Sequence, residues 1–299
     1  DHGSFSGAAR ALSTVQSNVS AHISRLEKEL TTSLVDRSSG RLTEDGELVV
    51  ERARRVLNQV QDIAADVNSK DADVEGETVL GCIGTTARWL MPKLLPELTS
   101  KFPKIRVTIV EGSTLNLIPR LTSGSLSAGI VHLPIEDDNL QATPLFAEDL
   151  VLLVHAKHEW SKLEKITIQE LASRPLLLPP KNNSLRKILD RAAGTQRLVL
   201  TPQAEIDGVR LLTSLAFEGF GAAVVPATAA PGWIKGEFKR IEIPELPRRV
   251  VGLVQRGRPL PNKSTSAVAA MIREVIERTG DRQPGVHIGK GAFPLKRPS

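Results

Sequence analysis

The sequence is poor in residues that several kinds of chemistry require. It holds a single cysteine, Cys82, in 299 residues. No disulfide can form within it, and a lone thiol suits a reducing cytoplasm. There is no tyrosine, and aromatics make up only 3%, which excludes a stacking platform for single-stranded nucleic acid. No apolar run approaches the ~20 residues of a membrane span, and no secretory leader is visible. The expectation is therefore a cytoplasmic protein with no membrane partner. Gly-x-Ser-x-Gly, a P-loop and a defensible carboxylate pair are all missing, which argues against an enzyme. His155 and His158 stand three apart without a third ligand, so no metal is expected. Gly219-Phe220-Gly221 precedes a strand rather than following one, so it is no dinucleotide fingerprint, and no cofactor is expected.

What is present is ordinary in bulk, with 40% hydrophobic and 24% charged residues, a length that suits about two domains and a well-buried core. The net charge of +5 is not concentrated at the start. Residues 1–70 hold nine Lys or Arg against ten Asp or Glu. Binding to nucleic acid has to be argued from local geometry instead.

That geometry lies between Ser13 and Leu30. Val19, Ile23, Leu26 and Leu30 are spaced four, three and four apart, which places them on one helix face. The other face carries Gln16, Ser17, Ser20, Ser24, Arg25 and Lys28, with no carboxylate. Ser13 or Thr14 is placed to cap the start. Upstream, Ser6 precedes a short helix of small residues, Gly7-Ala8-Ala9-Arg10-Ala11-Leu12. Two short helices joined by a tight turn, the second with a polar face, make a helix-turn-helix.

Ser4-Phe5, then Ala8-Ala9-x-x-Leu12, then Val15-Gln16-Ser17-x-Val19-Ser20-x-x-Ile23-x-x-Leu26-Glu27-x-x-Leu30 closely resembles the signature of LysR-type transcriptional regulators. The likeness continues through Leu34-Val35-x-Arg37 into Leu42-Thr43-Glu44-x-Gly46 and runs over most of the chain. It implies a wing from Arg37 to Thr43, with Thr43-Glu44 opening a long linker helix. Double-stranded DNA would be met by Thr14, Gln16, Ser17, Ser20, Ser24, Arg25, Lys28, Arg37 and Arg41. Ser17 departs from the family's usual proline, and Ala21 and Ser24 stand where basic residues are common; both departures bear on the operator sequence. The chain begins at Asp1, without the helix that in this family precedes Gly3-Ser4-Phe5. The reading head is accordingly expected to be incomplete.

From Glu44 to Asp73 there is no proline and one glycine. Val49, Ala53, Val56, Val60, Ile63 and Val67 repeat at four-three spacing, a heptad seam that calls for a partner helix. The expected assembly is a homodimer or homotetramer, with RNA polymerase as a further partner.

From Thr78 the period shortens. Apolar runs at 78–83, 106–110 and 128–131 alternate with helical stretches, as in a parallel α/β sheet. A second such unit follows, with strands at 176–178, 204–206, 222–225 and 250–254. Two such lobes form the architecture of periplasmic binding proteins, which the LysR-type effector domain resembles. The expected fold is an all-α winged helix-turn-helix (1–45) and a linker helix and hinge (46–75). A two-lobed α/β effector domain follows (76–280), with lobe I at 76–157 and 258–280 and lobe II at 158–257. Residues 281–299, rich in Gly, Pro and Lys, read as a disordered tail.

Ligands in such lobes bind at the carboxyl ends of strands, where helix N-termini present free N–H groups. Three hydroxyl- or amide-rich segments stand there: Thr85 and Thr86 after the first strand, Ser113 and Thr114 after the second, and Lys181, Asn182 and Asn183 across the cleft. The resemblance adds that residues at Thr85 and Thr114 line the effector cleft, faced by loops at Asn182 and Asp207. Arg88, His132 and Arg210 are further candidate charge partners. The expected effector is a small polar anion, a carboxylate. In the family, oxidant sensing uses two cysteines, which this chain lacks. The rival reading is a solute-binding protein of a transport system, which has no use for residues 4–67.

Overall fold

In this structure, a computed structural model, residues 2–36, 38–68, 74–258 and 260–293 are described. The chain divides into two compact units, 1–64 and 65–299.

The first unit opens with α1 (Phe5–Ala11), whose start is capped by the Ser4 hydroxyl accepting from the Gly7 N–H at 3.0 Å. The following helix, α2 (Gln16–Leu30), begins later than expected. Its N-cap is Val15, and neither Ser13 nor Thr14 caps it. Ser13 takes a left-handed φ of 52° in the turn, and the Thr14 hydroxyl accepts instead from Asn18 Nδ2 at 3.1 Å. Thr31, also left-handed, ends α2. Val35 and Leu42 then pair antiparallel to form the stem of the wing.

The wing is fastened to both neighbouring helices. Glu27 of α2 accepts from the Leu34 and Val35 N–H groups at 2.8 and 3.2 Å. Thr43 donates to the Ser33 carbonyl at 2.6 Å, and Thr32 donates to Asp45 at 2.6 Å. The long helix α3 (Glu44–Asn68) starts here. A Cβ on Gly46 would fall 2.0 Å from the Leu34 carbonyl oxygen, so only glycine lets the first turn of α3 press against the wing.

In the second unit the chain runs through β1 (Gly76–Ile83), α4 (Gly84–Lys101), β2 (Ile105–Gly112), α5 (Thr114–Thr122), β3 (Ala128–Leu133) and β4 (Leu140–Glu148). It then enters a second lobe with β5 (Leu150–His155), α6 (Ile168–Ala172), β6 (Leu176–Leu178), α7 (Ser184–Thr195), β7 (Pro202–Glu205), α8 (Val209–Phe217), β8 (Ala223–Pro226) and β9 (Phe238–Glu242). It returns through β10 (Arg249–Arg256), α9 (Lys263–Thr279) and β11 (Val286–His287). Lobe I holds the sheet β11-β4-β10-β3-β1-β2 and lobe II the sheet β7-β6-β8-β5-β9. Each sheet is mixed: β1 runs parallel to β2 and β3, whereas β10, β4 and β11 pair antiparallel.

Four expectations are corrected. The chain crosses between lobes at Asp149 and again at Arg248–Arg249, so β5 belongs to lobe II and β10 to lobe I. The strand β4 has no clear signal in the sequence, because four exposed residues in a row, 141–144, separate the buried Leu140 from the buried run 145–148. The segment 281–293 is built into lobe I rather than disordered: β11 pairs with β4, and Gln283 is 3% exposed. Its Gly and Pro content serves turns, not a flexible tail. Finally, Pro92 and Pro96 in the sequence suggest a late start or a kink, yet α4 runs unbroken through both, with Thr85 and Thr86 already in its first turn.

Each lobe has its own apolar core. In lobe I, Trp89 of α4 meets Phe146 of β4 edge-on at 5.3 Å, both fully buried. Cys82 lies in the same core. No helix among the described residues is long and apolar enough to cross a membrane.

Candidate functional site

In the first unit, the exposed side of α2 carries Gln16, Ser17, Arg25 and Lys28, while Ser20 and Ser24 are half-buried. Gln16 is held from α1: its Oε1 accepts from the Ser6 hydroxyl at 2.7 Å, which leaves the amide N–H groups directed to donate. Arg25 pairs with Glu29 one turn on, at 3.2 Å. The wing turn is set by Asp36, whose carboxyl is held down to about 2, first by hydrogen bonds from the Ser38 and Ser39 hydroxyls. Arg41 is exposed beside it; Arg37 lies outside the described residues. Along α3, Val49 is half-buried. Ala53, Val56, Val60 and Ile63 are exposed on the unit's own surface. The Val67 side chain lies outside the described set.

In the second unit, a cavity of about 340 Å³ opens between the lobes. Gly84, Thr85, Glu111, Ser113 and Thr114 line it from lobe I; Asn183, Ser184, Asp207, Gly208 and Arg210 line it from lobe II; Arg249 forms part of its floor. The α/β order brings this about: β1 and β2 are adjacent and parallel, so the loops after Ile83 and Gly112 open on one edge. Four helix N-termini converge there. The starts of α5 and α7 are capped by the Ser113 and Asn183 side chains, which accept from the Asn116 and Leu185 N–H groups. Those of α4 and α8 have no side-chain cap. Their free N–H groups and partial positive charge are available to an anion.

The expected threonines are partly engaged. Thr85 accepts from Arg249 Nη2 at 3.1 Å, and Thr114 accepts from the His132 N–H at 3.1 Å. Each hydroxyl keeps its proton to donate. Asn182 lines a small recess at the mouth, next to Ser113, Thr114 and Asp207.

Three expected residues lie outside both the cavity and its recess. The Thr86 hydroxyl is buried without a partner among the described residues, because the helical turn carries it away from the cavity. His132 lies beneath Thr114; burial, and then the Arg249 charge, push it down to about 4, so it is neutral at pH 7. Lys181 lines a separate depression with Arg186, Asp190 and Glu205, because it precedes the turn that brings Asn183 round to the cleft.

Other residues of the site carry little or no signal in the sequence. Glu111 and Arg210 form an ion pair across the cavity at 2.9 Å, one from each lobe. Arg249 donates from Nε to Glu148 at 2.9 Å, both buried, and Glu148 also accepts from the Thr228 N–H at 3.0 Å. Arg210 could be named from sequence only as a loose charge partner. Glu148 and Arg249 had no signal, because their meeting depends on the register of β4 against β10.

The comparisons agree with this architecture. Residues 1–47 match the family model for a bacterial regulatory helix-turn-helix protein, lysR family, and residues 71–277 match the LysR substrate binding domain. The chain is 30% identical over 278 residues, 88% of each protein, to the DNA-binding transcriptional dual regulator OxyR of Escherichia coli K12. A full-length OxyR cysteine-to-aspartate variant from Pseudomonas aeruginosa superposes with a TM-score of 0.68 at 25% identity, covering 90% of this chain and 92% of that one. The LysR-family regulator CbnR, solved in complex with its target DNA, shares the fold with a TM-score of 0.67 at 18% identity, covering 91% and 94%. On the helix-turn-helix at one end and the two-lobed domain at the other, this chain belongs to the LysR family of transcriptional regulators.

Proposed function

We propose that this regulator answers to a small carboxylate bound between its lobes, while α2 reads duplex DNA and α3 pairs two copies in the cytoplasm. One observation carries the effector reading. The cavity already receives a carboxylate of the chain itself: Glu111 reaches Arg210 on the opposite lobe and lies against the start of α4, 2.6 Å from where a Cβ on Gly84 would stand. An effector carboxylate would displace Glu111, take Arg210, and accept from Thr114 and the N–H groups at the starts of α4 and α8. By favouring the closed lobes it would shift the population of one arrangement of the pair.

Several relatives are named as hydrogen peroxide-inducible genes activators. The single thiol of this chain supports a different input. Cys82 is fully buried, and burial, with the Glu111 charge beside it, raises its pKa far above the usual range. A thiol held protonated reacts poorly with oxidant. A transport solute-binding protein is not favoured, since it has no use for the winged unit.

The test is calorimetry of the whole chain against a panel of mono- and dicarboxylates. Glu111→Gln should tighten binding of the carboxylate that responds, by removing its tethered competitor. Thr114→Val should weaken it roughly ten-fold or more, as for a lost hydrogen bond to a charged group. Binding unchanged in both variants would move the effector elsewhere.

A further inference from the structure

A second cavity, of about 640 Å³, lies away from the inter-lobe cleft, within the size range of small-molecule sites. Its walls come from the middle turns of α4, the loop after β8, the end of α9 and the segment that follows. Three cations line it, Lys93, Arg278 and Arg282. No carboxylate among the described residues pairs with Lys93 or Arg282; the acid in the wall, Glu97, is taken by Arg278, which donates to Glu97 Oε2 at 2.6 Å. The Lys93 ammonium is instead held over two indole rings, 4.7 Å from the centre of Trp89 and 5.8 Å from that of Trp233.

Trp233 is the unusual wall. It is 51% exposed, a large planar apolar surface left in water. Its loop is nevertheless pinned. The buried Gln283 accepts from the Gly232 N–H at 2.9 Å and donates to the Ala227 carbonyl at 3.1 Å. Burial, and then the Arg282 charge, lower the Lys93 pKa, which is the mark of a cation short of counter-charge.

We propose that this cavity is a second ligand site, for a small aromatic carboxylate whose charge sits between Lys93 and Arg282 and whose ring lies against Trp233. The site is independent of the inter-lobe reading. It is nonetheless joined to that cleft by one rigid element, since α4 carries Thr85 in its first turn and Lys93 in its middle. A ligand here would draw α4 of lobe I toward the Trp233 loop of lobe II.

The experiment is calorimetry of the whole chain with 2-naphthoate, its uncharged amide, and inorganic phosphate. The expected result is saturable binding of 2-naphthoate, with the amide and phosphate each at least about ten-fold weaker, as befits a lost charge contact or a lost ring contact. Lys93→Met, Arg282→Ala and Trp233→Leu should each weaken 2-naphthoate by about ten-fold, whereas Arg210→Ala and Thr114→Val in the cleft should not. Arg282 and Trp233 are exposed, so their variants keep the test sound if Lys93→Met disturbs packing on Trp89. No binding of 2-naphthoate overturns the proposal. So does binding that survives these variants but is lost with Thr114→Val, or equal binding of the amide or of phosphate.

Discussion

Arg249 and Glu148 form a buried ion pair on the two strands that carry the chain between its lobes. Glu148 is the last residue of β4 and Arg249 the first of β10, and they are paired in register as well as in charge. Glu148 also accepts from Thr228 of lobe II, and Arg249 donates to Thr85 of lobe I. One pair therefore holds both crossings and the floor of the cleft.

Breaking that pair from one side leaves a charge buried without its partner. Glu148→Ala should lower the unfolding free energy by about 3–5 kcal/mol. A double replacement, Glu148→Leu with Arg249→Met, should recover most of the loss. Urea unfolding of Glu148→Leu, Arg249→Met and the double variant measures this; losses that simply add would show that the charges are not coupled.

His132 makes stability depend on pH. Its pKa falls from 6.5 to about 4 in the folded chain, first through burial and then through the Arg249 charge. The unfolded chain therefore binds the proton more readily. Stability is full above about pH 6.5 and is lost as pH falls through about 4, by an amount on the order of 3 kcal/mol. Thermal melts at pH 7 and pH 4.5, for wild type and His132→Gln, should show a smaller difference in the variant. An equal difference would place the effect on other groups.

Gln16 stands at the start of α2, its amide oriented by Ser6. Gln16→Ala should cost roughly 1–3 kcal/mol of specific DNA binding and leave non-specific binding nearly unchanged. Ser6→Ala should give a milder loss of the same kind by freeing the amide to rotate. Titration of each variant on operator and random duplex distinguishes this from a general effect, in which both would fall together.

Val60 is 59% exposed in the middle of the α3 seam. Val60→Glu would place two carboxylates in an apolar interface and should dissociate paired helices. Sedimentation would show the smaller species; an unchanged oligomer would mean that the seam is not what holds the copies together.

The sequence announced most of the regular elements, because their signals are local. Val19, Ile23 and Leu26 show a helix by spacing, and Leu176 to Leu178 show a buried strand by composition. β4 was lost because Gln141, Thr143 and Pro144 interrupt its apolar run. With β4 went the true crossing point, since one residue, Asp149, turns the chain into lobe II. The cleft was half legible. Ser113, Thr114 and Asn183 follow strands and start helices, a pattern that can be read along the chain. Glu111, Arg210, Glu148 and Arg249 meet only through register and lobe closure. The tail misled for a related reason: Gly285 and Pro284 look like disorder, but the amide of Gln283 anchors them.

The close seat of Gly46 on the Leu34 carbonyl leaves no slack between the wing and the first turn of α3. With Thr43 and Asp45 also tied to residues before the wing, the head and the base of the long helix form a single lever. In a pair joined along α3, the phase at which two heads meet a duplex would be set by the splay of the two helices. A splay that moved the heads apart by about 3.4 Å would match half-sites one base pair further apart. Operator spacing would then be written in the angle between two copies.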